Sequence, residues 1–346
     1  MTKVSIIVPV YNASAFIKNC IDSVRSQTMT EGVECILIDD CSTDNTFEEI
    51  QSIINGDVLA PCMCSGERSS EYGNVNISLL RQERNQGPSA ARNRGVREAQ
   101  GEYVFFLDAD DTITPNCIEL LYGLAKQHDA DYVQGRYESE IKDNKDNRNN
   151  TNIKTIERLN SSTLEPSIPA VLTDRREIKR LLLNHNKLLF APHNRLVRRQ
   201  MIIDNSLFFN EQIKVREDFL WMTFVAKYVK KFASCDKPTY RQGYNEDSLT
   251  HSINKEREIA GYRVLIETMV ANFDSFQLGY QKELALEALM MALKAGYYHD
   301  EVERKHLIDV VKSKNNCIEN ILLQLYLKTK LSWILHLLIR ICKIND

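Results

Sequence analysis

Over residues 1–135 the chain alternates short apolar runs with amphipathic stretches of helical period. Ser5–Val10 (SIIVPV) is apolar and β-branched at successive positions, the pattern of a strand buried on both faces. Ser14 then stands where an N-cap would, ahead of Phe16, Ile17, Cys20, Ile21 and Val24 on one helical face. A second strand is predicted over Glu34–Asp40 (ECILIDD), followed by a helix from Asp44 or Thr46, where Thr46 and Glu49 have capping-box spacing. Ile77–Glu83 (ISLLRQE) reads as a third strand, Ser89–Gln100 as a helix, and Glu102–Asp108 (EYVFFLD) as a fourth strand. Thr114 and Pro115 form an N-cap and N1 pair opening a helix to about His128, and Asp131–Tyr137 (DYVQGRY) closes the pattern. Strands alternating with helices predict an α/β fold with an open, mostly parallel sheet flanked by helices.

Residues 56–76 and 142–152 are polar and aperiodic and read as surface loops. Beyond Asn254 helical patterns follow one another without strand signals, so residues 1–253 are expected to form one domain and 254–346 a helical C-terminal region. The 43% hydrophobic and 26% charged content is that of a soluble globular chain, and a net charge of −3 gives no electrostatic reason to expect nucleic acid. Nine scattered cysteines without framework spacing fit a reducing compartment, so a cytoplasmic location is expected. The opening MTKVSIIVPVYNAS reads as a first strand rather than a cleavable signal, and no run reaches the ~18 apolar residues needed to span a bilayer.

In an open parallel sheet, ligands bind at the carboxyl ends of the strands. Polar residues gather there: Pro9, Tyr11 and Asn12 at the first strand, Asp39 and Asp40 at the second, Asn85 and Gly87 after the third. The fourth strand delivers Asp108, Asp110 and Asp111, acids that repel one another and are costly to bury unpaired. On extended chain, side chains two apart point the same way, so Asp108 and Asp110 would converge while Ala109 turns away. Oxygen-only donors suit a hard divalent cation, Mn²⁺ or Mg²⁺, with positions left for water and phosphate oxygens. The plainer alternative is that these acids cap a turn before Thr114.

Taken in order, VSIIVPVYNAS, IDDCSTDNT, ERNQGPSAARNRGVREAQGEYVFFLDADD and VREDFLWM resemble the family 2 glycosyltransferases, inverting enzymes of the Rossmann-like GT-A fold that use nucleotide-activated sugars. The resemblance covers residues 1–251 apart from the two loops, with Cys41 where glycine is common. It implies a donor half over about residues 1–135 and an acceptor half over 136–253. In that light Asp40, with Asp39, would accept hydrogen bonds from the donor base, and Pro9 and Tyr11 would line the base and ribose pocket. Asn85, Gly87 and Arg92 match an NxGxxxARNxG segment beside nucleotide and sugar. Asp108 and Asp110 stand at the DxD position, placing a metal on the diphosphate, with Asp108 also in the donor site.

The resemblance makes Asp218, in VREDFLW, the general base, with Glu217 beside it supporting it or binding acceptor. Acids at a helix N-terminus are the ordinary reading of that pair. Arg195 is a contact for acceptor or phosphate, or surface charge, while Arg241, Ser248 and His251 belong to a segment that would cover the diphosphate. A helix over Lys330–Lys343, with Ser332, His336 and Arg340 on one narrow stripe, would lie on a membrane surface or pack on protein. The function implied is metal-dependent, inverting transfer from a nucleoside diphosphate sugar, UDP being the family's expectation, to a hydroxyl of a glycan or lipid-linked glycan. Synthesis of bacterial surface polysaccharide (capsule, exopolysaccharide or O-antigen) is the implied setting, in the cytoplasm or peripherally on the inner face of the plasma membrane. A non-catalytic nucleotide-sugar-binding protein and a sugar nucleotidyltransferase are the alternatives. Against the second stands the lack of a Gly- and Lys/Arg-rich triphosphate loop near the first strand.

Overall fold

In the computed structural model, the structure describes residues 1–59, 75–138, 171–182, 191–213 and 217–243, with Val264 and Thr268. The expected loop at 142–152, Ser248, His251 and the expected tail helix at 330–343 lie outside the described residues. The chain separates into two compact units, Met1–Phe208 with Val225–Asn245, and Phe209–Phe224 with Glu246–Asp346.

The first unit opens with β1 (Val4–Val10), α1 (Ile17–Arg25), β2 (Val33–Asp39), α2 (Thr46–Leu59), β3 (Asn76–Arg81), α3 (Pro88–Glu98) and β4 (Tyr103–Phe106). Then come β5 (Thr112–Ile113), α4 (Cys117–His128), β6 (Tyr132–Tyr137), β7 (Val171–Leu172), α5 (Arg175–Leu182), β8 (Arg195–Arg198) and α6 (Arg199–Asp204). Helix α7 (Glu217–Tyr228) crosses the boundary between the units and leads to β9 (Phe232–Arg241). The strands form one mixed sheet in the order β3-β2-β1-β4-β8-β6-β9-β5, with β7 beside β9.

β1 lies between β2 and β4 and parallel to both, so neither edge is open, and every side chain along it but Pro9 is buried. Val4, Ile6 and Val8 join Ile17, Ile21 and Val24 of α1 and Leu121 and Ala125 of α4 in one apolar layer. Ile7 faces the other way, against α3, where a Cβ on Gly95 would stand 2.3 Å from Ile7 Cγ2. β8 runs antiparallel between β4 and β6 and brings the second half of the chain against the first.

Two expected helix starts shift, at α1 and α4, while α2 begins at Thr46 as expected. α1 begins at Ile17 behind Phe16, without a side-chain cap, while the backbone N–H of Ser14 donates to Asp44 Oδ2 at 3.4 Å. At α2 the Thr46 hydroxyl accepts from Ala13 N at 2.8 Å and donates to Asp44 Oδ1 at 2.5 Å, so Asp44 serves the cap. α4 starts at Cys117, since the Thr114 hydroxyl is held at 3.1 Å from both Asn116 Oδ1 and the Pro238 carbonyl. β4 stops at Phe106 rather than running to Asp108. No helix among the described residues is long and apolar enough to cross a membrane.

The close approach of α3 to β1 yields a stability prediction. Gly95→Ala inserts a methyl against a fully buried Ile7, and overpacking of this kind costs about 1–3 kcal/mol. A lower urea midpoint with unchanged m-value is expected; an unchanged midpoint would show that the helix can move off the strand.

Candidate active site

At the carboxyl ends of β1 and β2, two turns are laced together. Asn12 N donates to Ser42 Oγ at 3.0 Å, Thr43 N donates to Asn12 Oδ1 at 2.8 Å, and Asn12 Nδ2 donates to Thr43 Oγ1 at 3.2 Å. Both turns use left-handed backbone, φ 47° at Asn12 and 61° at Cys41. Asparagine tolerates that region by bonding locally; cysteine has no such compensation. Tyr11 projects from this rim with 47% of its surface exposed, beside half-buried Pro9.

The two strand-end acids are both buried and both engaged. Asp39 accepts from Ser42 N at 3.2 Å and lies 3.1 Å from Arg81 Nε. Asp40 accepts from Gln82 Nε2 at 2.5 Å, Gln86 N at 2.8 Å and Gly87 N at 2.6 Å. Gly87, at φ 92°, is the residue before α3 and adopts a backbone that favours glycine. The loop leading into α3 therefore holds the carboxylate of Asp40 with two backbone N–H groups. Asn85 sits exposed in the same loop.

The fourth strand end is the chemical centre. Just after β4 the chain turns, closed by Asp111 N donating to the Asp108 carbonyl at 3.1 Å. The extended geometry expected to align Asp108 with Asp110 is thus replaced by a turn, and the acid gathered with Asp108 is Asp111. Asp110, half-buried, lies in the middle of that turn. Asp108 Oδ1 accepts from Arg92 Nη2 at 3.1 Å, and Oδ2 lies 2.9 Å from His193 Nδ1, off the alignment of a good hydrogen bond. Asp111 Oδ2 accepts from the Tyr240 hydroxyl at 2.5 Å and Oδ1 from Gly243 N at 2.7 Å.

These surroundings drive the two carboxyls in opposite directions. Burial pushes Asp108 up, but the charges of His193 and then Arg92 outweigh it and hold the group well below the usual carboxylate range. Asp111 is pushed up to about 7, first by burial and then by the negative Asp108, against the lowering pull of His193, Tyr240 and Gly243. One acid stays ionised at neutral pH and its neighbour holds a proton more readily.

Asp108, Asp111 and His193 present ligand atoms within 4.8 Å of one another, a set that could hold a cation. Each carboxylate oxygen carries two lone pairs, so oxygens already bonded to protein can still ligate. The two carboxylates suit a hard divalent ion, and the imidazole moves the set toward borderline ions.

His193, Tyr240 and Asp111 had not been singled out as site residues from sequence. A lone histidine ahead of NRLVR has no diagnostic spacing; β8 brings it in, with His193 bridging to Phe106 at the end of β4. Arg195 is not surface charge: it is fully buried, and its Nη1 donates to the carbonyls of His193 at 3.1 Å and Asn194 at 3.0 Å. Arg97 is exposed on α3, with its guanidinium over the Phe208 ring. Arg241 pairs with Glu138. Glu217 and Asp218 open α7 in the second unit, where Asp218 Oδ1 accepts from Phe219 N at 2.7 Å and Trp221 stacks on Phe209 at 4.7 Å.

An open mixed sheet with acids at its strand ends defines a Rossmann-like, GT-A type of nucleotide-sugar fold. Residues 5–205 match the family described as glycosyl transferase family 2, and the chain belongs to that family. Glycosyltransferase GlyG of Streptococcus pneumoniae serotype 4 is 34% identical over 134 residues, 39% of this chain and 38% of that protein. Poly(ribitol-phosphate) beta-N-acetylglucosaminyltransferase TarP of Staphylococcus aureus is 27% identical over 221 residues, 63% of this chain and 62% of that protein. The chain spans about a third of the length of the curated relatives GlyG and poly(ribitol-phosphate) beta-glucosyltransferase of Bacillus spizizenii, 38% and 31% respectively. The fold is shared with S. aureus TarS 1-349 in complex with UDP-GlcNAc, at TM-score 0.64 and 19% identity, over 95% of this chain and 88% of that one.

Two predictions come from this geometry. Cys41→Gly removes a Cβ from a left-handed position and should stabilise the protein by about 0.5–1 kcal/mol; a lower urea midpoint would show that the thiol, 3.9 Å from the Glu83 carbonyl, matters more. The second concerns pH. From about 3.8 to about 7 the folded state retains a proton on Asp111 that the unfolded chain has released, so this group's contribution to stability falls as pH rises through that window. Asp111→Asn is neutral throughout, and its stability relative to wild type should increase between pH 5 and 8. A pH-independent difference would remove Asp111 as the source.

Proposed function

We propose that this chain is a metal-dependent, inverting glycosyltransferase that moves a hexose or N-acetylhexosamine from a UDP-sugar to a hydroxyl of a surface glycan or its lipid-linked precursor. The observation that carries the reading is the Asp108 cluster. A partly buried carboxylate flanked by Arg92 and His193 stands at the end of β4, on the same rim where Asp39 and Asp40 end β2, two strands away. Support for the donor and acceptor comes from the relatives: TarS binds UDP-GlcNAc, and two similar enzymes are named for glycosylating poly(ribitol phosphate).

On this reading Pro9, Tyr11, Asp39 and Asp40 shape the base and ribose site, and Asn85, Gly87 and Arg92 border the diphosphate and sugar. Asp108 would hold the divalent ion; the resemblance pairs it with Asp110, while Asp111 and His193 are the ligand groups gathered with it. When bound, that ion neutralises charge growing on the departing diphosphate. Asp218 takes the proton from the acceptor hydroxyl as its oxygen bonds to the anomeric carbon. The bond from that carbon to the diphosphate oxygen breaks, and UDP leaves from the opposite face with inversion. Glu217 supports Asp218 or binds acceptor. The catalytic region runs to about residue 253, with 254–346 as a helical accessory. A cytoplasmic location fits the cysteine pattern, and Lys330–Lys343 is the segment that would meet the inner membrane surface.

Asp218→Asn should lower turnover about 10²- to 10⁴-fold, as loss of a general base does, while donor affinity stays within about threefold. UDP release from UDP-GlcNAc and UDP-glucose, with poly(ribitol phosphate) as trial acceptor, is the assay. EDTA should abolish release and Mn²⁺ restore it. Undiminished turnover in the variant would remove Asp218 as the base, and pyrophosphate release from a nucleoside triphosphate would replace the transferase reading with a nucleotidyltransferase.

A further inference from the structure

We infer that His193 is a donor-sugar recognition residue, held by Asp108 through Nδ1 so that Nε2 meets a hydroxyl of the sugar being transferred; this rests on the transferase reading above. Four features build that presentation. Asp108 Oδ2 lies 2.9 Å from Nδ1, so the carboxylate occupies that edge of the ring and Nε2 is the open edge. The ring stacks on Tyr240 with centroids 5.0 Å apart and planes at 18°, and meets Tyr137 edge-on at 5.8 Å. Tyr240 is itself pinned, since its hydroxyl donates to Asp111 and accepts from Asp108 N at 3.3 Å. Behind the ring, the backbone is clamped: the buried Arg195 guanidinium binds the carbonyls of His193 and Asn194 across a left-handed residue, Asn194 at φ 59°.

So much fixation of one imidazole leaves a single free position. Nδ1 is buried, whereas the side chain as a whole keeps 14% of its surface, and Nε2 is not among the buried unpaired atoms and makes no hydrogen bond with the described residues. That edge lies at the carboxyl-end rim, because His193 bridges in parallel to Phe106, two residues before Asp108. A sugar hydroxyl can both donate and accept, so it pairs with Nε2 in either role. The free nucleotide has no such hydroxyl beyond its diphosphate, which makes the contact specific to the sugar.

The test compares UDP with UDP-GlcNAc and UDP-glucose by calorimetry on the full chain, in wild type and two variants. His193→Asn keeps a donor at the Nδ1 position facing Asp108 but deletes Nε2; His193→Gln places an amide near the Nε2 position. The Asn variant should bind UDP within about twofold of wild type and the preferred UDP-sugar about tenfold more weakly, the size of one lost hydrogen bond. The Gln variant should recover most of that loss. An Asn variant with an unaltered ratio of UDP-sugar to UDP affinity overturns the inference alone, as does an equal loss for both ligands, which would mark a merely structural role. A wild type that binds UDP but no UDP-sugar overturns the transferase reading and the inference together.

Discussion

The structure of the first unit turns on how one partly buried negative charge, that of Asp108, is compensated. A carboxylate removed from water is costly unless paired, and Asp108 is paired twice, by Arg92 and by His193. Arg92 lies 16 positions before Asp108, and His193 comes from the second half of the chain. Arg92 is carried by α3, packed on one face of the sheet, and His193 precedes β8, the strand that returns antiparallel beside β4. The charge of Asp108 is also a tie between the two halves of the sheet.

The same economy of charge explains how three acids fit within four positions. Two ionised carboxylates side by side in a partly buried site would repel, and the turn resolves this by giving them different surroundings. Asp108 faces the Arg92 guanidinium and the His193 ring, whereas Asp111 faces the Tyr240 hydroxyl and the Gly243 amide, neutral donors that satisfy its oxygens without cancelling the field of Asp108. The pair is driven apart in proton affinity, the arrangement by which neighbouring carboxyls come to take unlike roles. Gly243 is held close: a Cβ there would stand 1.9 Å from the Asp110 carbonyl, so this residue seals the turn.

Arg195 is the costliest feature of the interior. A guanidinium stays charged at any accessible pH, and this one is fully buried with backbone carbonyls rather than a carboxylate on its Nη1. It faces the hydroxyls of Tyr132 and Tyr137, which feel its charge, and it stands opposite Gln134 in the β6–β8 register. Such an expensive group is tolerated where it maintains an uncommon backbone, here the left-handed step that lifts His193 out of the strand.

The alternation of apolar runs and helical faces determined the α/β class, the strands β1 to β4 and the rim on which the acids would stand. These follow from local periodicity, which two buried faces of a parallel strand impose directly. The motif order also identified the family, since the side chains of IDDCSTDNT and DADD are demanded wherever the fold brings strand ends together. Tertiary structure alone decided three other matters. Asp40 turned out to be bound by the Gln82–Gly87 loop, because that loop closes over β2 only in three dimensions. Asp111 rather than Asp110 was grouped with Asp108, because a turn hydrogen bond replaced the extended chain that spacing assumes. His193, Tyr240 and Arg195 entered through the antiparallel return of β8 and the pairing of β6 with β9, contacts between residues more than 80 positions apart from β4 or Asp108. Periodicity reports what lies on one face of one element; it carries no information on which remote element that face will meet.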